Sequence, residues 1–159
     1  MTVEVAEQTA DPRGGPARIA ELQAFAAQLP QLQLETLHYF APGMYARVVA
    51  RPRDALIVGK VHKAEHFYIV TRGRVAVDSG DGAVIYEAGA VIVSRPGTKR
   101  AVLALEDSIC MTVHRTDLTD LDAIEAELIE PDALITGLNR GRPGMAAIDV
   151  FESEPIMQG

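Results

Sequence analysis

The sequence predicts an all-β domain, a small closed barrel or sandwich with one helix before it and a short helical extension after it. Two observations carry that prediction. Between about residues 32 and 114 the chain falls into short runs of period two, the spacing of strands that bury one face. Turn signals separate those runs at short intervals: Pro42-Gly43, Arg72-Gly73, Ser79-Gly80-Asp81-Gly82, Ala88-Gly89, Pro96-Gly97 and Glu106-Asp107. About eight or nine short strands with few helices among them argue for an antiparallel sandwich or barrel.

The elements follow in order. Residues 1–15 hold Asp-Pro and Gly-Gly with no apolar period and read as a disordered arm. Residues 16–30 read as a helix, because Ile19, Leu22, Phe25, Ala26 and Leu29 recur at three or four and Pro30 stops the pattern. Residues 31–116 form the barrel. Its first strand alternates Leu32, Leu34, Thr36 and His38 with Gln33, Glu35, Leu37 and Tyr39. Further strands are expected at Met44–Ala50, Ala55–Val61, His66–Thr71, Arg74–Asp78, Ala83–Glu87, Ala90–Ser94, Arg100–Leu105 and Ser108–His114. Residues 117–159 make a helical and extended tail. Thr119 is the expected N-cap, with Asp122 three residues on, and Leu121, Ile124 and Leu128 carry a helical stripe that Pro131 ends. A second short helix over Asp132–Asn139 precedes an apolar run from Met145 to Phe151.

Composition narrows the function classes. The 159 residues include 48% apolar and 23% charged side chains, the make-up of an ordinary globular protein. The net charge is −7, and an acidic surface repels phosphate backbones, so no nucleic-acid partner is expected. A single cysteine, Cys110, rules out an internal disulfide. The polar start MTVEVAEQTADPRGGP lacks the basic-then-apolar order of a signal peptide, and no stretch reaches the roughly 20 apolar residues of a membrane span. The expectation is a cytoplasmic protein with no membrane partner.

Four histidines, His38, His62, His66 and His114, all fall in the β region. A barrel of about eight strands has an interior just wide enough for side chains or one small ligand. Neutral imidazole is the commonest metal ligand, and imidazoles that converge there need a shared partner.

The segment Gly59–Val77, GKVHKAEHFYIVTRGRVAV, resembles the first motif of the cupin superfamily. In that motif a histidine pair is followed by a glutamate and, seven residues later, by a glycine turn. His62 matches the second histidine, His66 occupies the glutamate position, Lys60 stands at the first histidine, and Gly73 is the turn. Gly89 and the run from Ser94 to Arg100 resemble the second motif, with Arg100 in the terminal histidine position. The resemblance runs from about Leu32 to His114 and looks most like short single-domain cupin-like proteins of bacteria and phages. It implies a jelly-roll barrel around one divalent metal ion, with a ligand set that departs from the family's.

His62, His66 and His114 are the expected metal ligands, three neutral nitrogens with an open position. That arrangement suits Zn, and Fe(II), Mn(II) or Ni(II) as well. Glu65, next to His66, would point away on an unbroken strand and enter the site through a bulge, as ligand or proton shuttle. Tyr68 is a second catalytic candidate. Arg100, Tyr45, Arg47 and His38 are the substrate-binding candidates, with Arg100 gripping an anion through its paired donors. Plainer readings stand beside these: histidines packed as polar core groups, Arg100 in a salt bridge to Glu106 or Asp107, and tyrosines filling the core.

Residues 131–156, PDALITGLNRGRPGMAAIDVFESEPI, are similar to a segment of the D-isomer-specific 2-hydroxyacid dehydrogenases. No G-x-G-x-x-G precedes it, so an NAD-dependent dehydrogenase activity is not expected. The plainer reading is an arm in which Ala146–Phe151 adds a strand to a sheet edge. The resulting expectation is a homodimeric metal-binding cupin acting on a small anionic molecule, as an enzyme of oxygenase, lyase or isomerase type. The alternative is a non-catalytic ligand-binding or phage-related structural barrel.

Overall fold

In the computed structural model, which describes residues 15–130 and 146–149, ten strands form two five-stranded sheets. Residues 1–14, 131–145 and 150–159 lie outside this description. With them go the expected arm, the second short helix and most of the dehydrogenase-like segment.

Helix α1 (Gly15–Ala26) comes first, then β1 (Thr36–Ala41), β2 (Met44–Arg51), β3 (Leu56–Gly59), β4 (His66–Arg72) and β5 (Arg74–Asp78). They are followed by β6 (Ala83–Glu87), β7 (Val91–Ser94), β8 (Ala101–Ala104), β9 (Ser108–His114), helix α2 (Leu121–Leu128) and β10 (Ala146–Asp149). One sheet runs β1-β2-β9-β4-β7 and the other β10-β3-β8-β5-β6. The antiparallel pairs β2 with β9, β3 with β8, β4 with β7 and β5 with β6 are nested one inside the next. That is one long hairpin rolled over on itself, the double-sheet jelly roll. The fold is the one the cupin resemblance implies.

Alternation fixes which side chains enter the roll. On β2 and β9 every second residue is buried, giving Tyr45, Val49 and Arg51 from one and Cys110, Thr112 and His114 from the other. Strand register then sorts the inner face of the β2 sheet into layers. Val49, Cys110 and Val70 form an apolar layer, Arg47, Thr112 and Tyr68 a polar one, and Tyr45 and His114 begin a third at the strand ends. The apolar layer joins Val75, Val77 and Val102 of the facing sheet in the main core.

The outer face of the same sheet carries the other parity. One row crosses it as Leu37, Val48, Met111, Ile69 and Val91, and the next as Tyr39, Ala46, Val113, Phe67 and Val93.

Both helices differ from their sequence expectation in detail. Helix α1 ends at Ala26 rather than running to Leu29. Ile19, Gln23 and Ala26 form its buried stripe, while Phe25 is 54% exposed. It lies over Val58 and Ala101 on the outside of the second sheet, and Arg18 holds Asp78 at 2.7 Å. The N-cap of α2 is Asp120, whose carboxylate accepts from Ala123 N at 2.8 Å, and not Thr119. Helix α2 then packs Ile124 and Leu128 on Tyr45. Strand β10 pairs in parallel with β3 at the sheet edge, the strand addition expected of the tail.

Candidate metal centre

His66 opens β4 and His114 closes β9. The two strands are antiparallel neighbours, and the pairing of Phe67 with Val113 brings these ends side by side. Both rings are buried, at 6% and 3% exposure. His62 arrives from the connection between β3 and β4. Its backbone bridges to Ile129 just after α2, and its carbonyl accepts from Gly97 N at 3.0 Å. Two segments distant in sequence therefore clamp the half-buried third ring over the other two.

The ring centroids lie 4.2 Å apart for His62 and His66, 4.6 Å for His66 and His114, and 5.3 Å for His62 and His114. One nitrogen from each ring lies within 4.8 Å of the others. A tetrahedral ion with metal–nitrogen bonds of about 2.0–2.1 Å holds its donors roughly 3.4 Å apart. Closing the difference takes rotamer adjustments of about an ångström, so the donor set fits a divalent ion in both chemistry and spacing. The outer partners are also in place. His66 Nδ1 faces the Ala64 carbonyl at 3.3 Å and His114 Nε2 faces Thr112 Oγ1 at 2.9 Å. Such contacts select a tautomer and hold the ring of a metal-ligating histidine.

A pocket adjoins the triad, lined by Arg51, Lys60, His62, His66, Tyr68, Ser94, Thr98, Arg100 and Thr112 above Ile57, Gly59 and Val102. Its walls are cationic, and no aspartate or glutamate is among these lining residues. Arg100 donates from Nη2 to Ser94 Oγ at 2.5 Å. Its guanidinium carbon stands 5.3 Å from the centre of the Tyr68 ring, and that of Arg51 5.8 Å from the same ring. The buried Nε of Arg100 has no hydrogen-bond partner among the described residues. Burial lowers the pKa of this guanidinium from its ordinary value, against the raising influence of Tyr68 and Tyr86. Lys60 is tied to Glu125 of α2 by a salt bridge.

The sequence-predicted site residues divide accordingly. His62, His66 and His114 come together, and Tyr68 and Arg100 line the adjoining pocket. Glu65 requires a correction: it is exposed. No bulge turns it inward, because β4 alternates without a break from buried His66 through Tyr68 to Val70, and the only irregularity lies at Val70–Arg72. His38, Tyr45 and Arg47 are not among the residues that line this pocket. They sit on β1 and β2, at the far side of β9 from β4. Tyr45 is fully buried, shares a 2.6 Å hydrogen bond with His38 Nδ1, and lies between the rings of His38 and His114 at 5.9 and 5.8 Å. Burial first, and then the Arg47 charge, lower the His38 pKa below 6.5. Arg100 makes neither of the salt bridges weighed for it, and Asp107 instead accepts from Arg53 N. Arg51 and Ser94 line the pocket as well. Arg51 could have been found by extending the period of Tyr45 and Arg47 to the end of β2.

No family model matches the chain. No curated protein matches it either. Among solved structures it is similar to a cupin superfamily protein from Desulfitobacterium hafniense DCB-2, with 9% identity and a TM-score of 0.48 over 57% of this chain and 96% of that one. An RmlC-like cupin from Shewanella frigidimarina NCIMB 400 aligns at 14% identity and TM-score 0.47, covering 58% and 85% of the two chains. KdgF from Halomonas sp. aligns at 20% identity and TM-score 0.46, covering 55% and 80%. The assignment of the jelly roll rests on the nested strand pairs themselves.

Proposed function

We propose that this protein is a metal-binding cupin whose three-histidine centre and cationic pocket act on a small anionic molecule. The observation that carries the reading is the meeting of His62, His66 and His114, from three separate segments, with His62 and His66 lining a pocket that also holds Arg100. Three imidazoles converging on one point offer neutral nitrogen donors to a shared cation, and the arginines beside them favour an anion bound next to it. A bound zinc, iron(II), manganese(II) or nickel(II) ion would supply Lewis acidity toward an oxygen of the ligand. The chain supplies the remainder. Arg100 and Arg51 flank Tyr68 and receive the negative end of the ligand, Ser94 orients the Arg100 fork, and Ile57 and Val102 dry the floor.

A second reading, a barrel that binds its ligand without turning it over, is favoured by one feature. Among the described residues, those that line the pocket include no carboxylate to move a proton, and Glu65 is outside it. Metal analysis of purified protein tests the shared premise: about one ion per chain in the wild type, and loss of it in His66→Ala and His114→Ala. Protein that binds no divalent ion after loading, with an unchanged melting temperature, sinks both the centre and the enzyme reading. Turnover of small carboxylates by metal-loaded protein, abolished in His66→Ala, separates the enzyme from the binder.

A further inference from the structure

Three neighbouring positions in the pocket wall, Arg100, Gly59 and Lys60, bear on what kind of anion enters. On the premise of the anion site proposed above, we infer that its ligand is a small dianion, held at one end by Arg100 and at the other by Lys60, which gives up Glu125 for it. Gly59 N donates to Arg100 O at 2.8 Å, so the two residues face each other where β3 and β8 pair, and Lys60 follows directly. Ile57 and Gly59 line the pocket, whereas Val58 between them lies under α1, so position 59 turns its empty side to the pocket. A Cβ there would meet nothing nearer than Arg100 O at 3.7 Å, an ordinary contact, and the backbone is not in the left-handed region. Neither packing nor backbone demands this glycine. Its effect is to leave the wall bare between the two cations.

Lys60 already carries a carboxylate. It lines the pocket, and its ammonium is paired with Glu125 of α2, the two side chains being 16% and 29% exposed. Glu125 is not among the pocket-lining residues, so it reaches the lysine from outside. An ammonium has three donors, and a ligand carboxylate arriving from the pocket meets a cation already held in place for that group. Arg100 is the other station. Its Nη2 is committed to Ser94 Oγ, while its buried Nε has no hydrogen-bond partner among the described residues. A monoanion satisfies one station only. Two anionic groups on one short linker satisfy both and lose their translational and rotational freedom once. Releasing Glu125 leaves α2 docked, because Ile124 and Leu128 stay packed on Tyr45, Asp120 caps the helix, and Lys63 Nζ donates to Ala126 O at 3.0 Å. The helix can thus exchange one side-chain contact while Ile129 continues to brace His62.

Calorimetry on the full chain loaded with a divalent ion tests this, with malonate and succinate set against propionate and butyrate, monoanions of matching length. At least one dicarboxylate should bind roughly tenfold tighter than its monocarboxylate partner, the effect of one added charge-assisted hydrogen bond. Lys60→Met should abolish that preference, the dicarboxylate falling to the affinity of its partner. Glu125→Gln removes the competing charge and should tighten the dicarboxylate severalfold. Equal binding of the paired acids overturns the inference, as does a preference that survives Lys60→Met, or unchanged or weaker binding in Glu125→Gln. Each of these outcomes leaves the metal and anion site standing. Should Lys60→Met fail to fold by circular dichroism, Gly59→Val reads the same span, since its side chain would lie between the two cations. Loss of the dicarboxylate preference is expected there, and an undiminished preference counts against the inference. A chain that binds its metal and none of the four acids overturns both the dianion and the anion site on which it rests.

Discussion

Arg100 reaches the pocket with Nη2 on Ser94 and its guanidinium over Tyr68, and its Nε is buried with no hydrogen-bond partner among the described residues. A planar fork held this way recognises a carboxylate or phosphate through two bonds, which a lysine ammonium cannot reproduce. Arg100→Lys is therefore expected to keep the charge but weaken binding of a small dicarboxylate or phosphate, and Arg100→Ala to weaken it further. Hydrogen bonds to charged groups contribute about 1.5–3 kcal/mol each, so calorimetry should read a loss of roughly tenfold or more for the alanine variant. Equal affinity in all three proteins would remove Arg100 from the site. His38 supplies a pH-dependent prediction. Its folded pKa lies below the ordinary 6.5 because burial and Arg47 disfavour the imidazolium. Between the two values the unfolded chain binds more protons, so this contribution to stability is complete above 6.5 and is lost as pH falls. Melting temperature should drop less between about pH 7 and pH 5 in His38→Gln than in the wild type. Parallel curves would refute this assignment.

Elements bring these residues together, and the turns between them set the geometry. Gly73 links β4 to β5 at a φ of +79°, and a Cβ there would meet Ser108 Oγ at 2.4 Å and Asp107 O at 2.6 Å. Ser108 cannot move freely, because its hydroxyl bridges Arg74 and Glu106. Gly89 also has a positive φ, of +96°, but nothing stands within 4 Å of its added Cβ. Backbone strain of about 1 kcal/mol is expected for Gly89→Ala, against about 2–4 kcal/mol for Gly73→Ala, where a clash is added. Urea unfolding midpoints would order the two, and equal midpoints would contradict the close approach. Helix α2 is the other positioning element, since the residue that follows it, Ile129, pairs with His62. Removing its cap with Asp120→Ala should cost about 1 kcal/mol of stability.

For the molecule as a whole, a ligand that binds only the folded state raises stability by mass action. A metal present at about 100 times its dissociation constant adds about 2.7 kcal/mol, which appears as a concentration-dependent melting temperature. The wild type should show that shift with added divalent ion and His66→Ala should not.

Period-two alternation and turn residues made nine of the strands legible, because a strand half-buried in a sandwich must place its apolar side chains on one side. That parity also separates His66 from Glu65 once β4 is taken as unbroken. Motif positions drew out His62, His66 and Arg100, and the end of the last strand drew out His114, and the three histidines do meet beside the pocket of Arg100. Three-dimensional packing decided what parity cannot encode, namely depth and lateral order. Tyr45 and Arg47 share the inward face with the site, yet β9 stands between them and β4. Arg51 enters the pocket from the far end of the same strand. Which strands become neighbours is set by nested pairings between residues far apart in the chain, and by the segment after α2 returning to brace His62. A one-dimensional pattern names the face of a residue, and only the closed roll brings three such faces to one point.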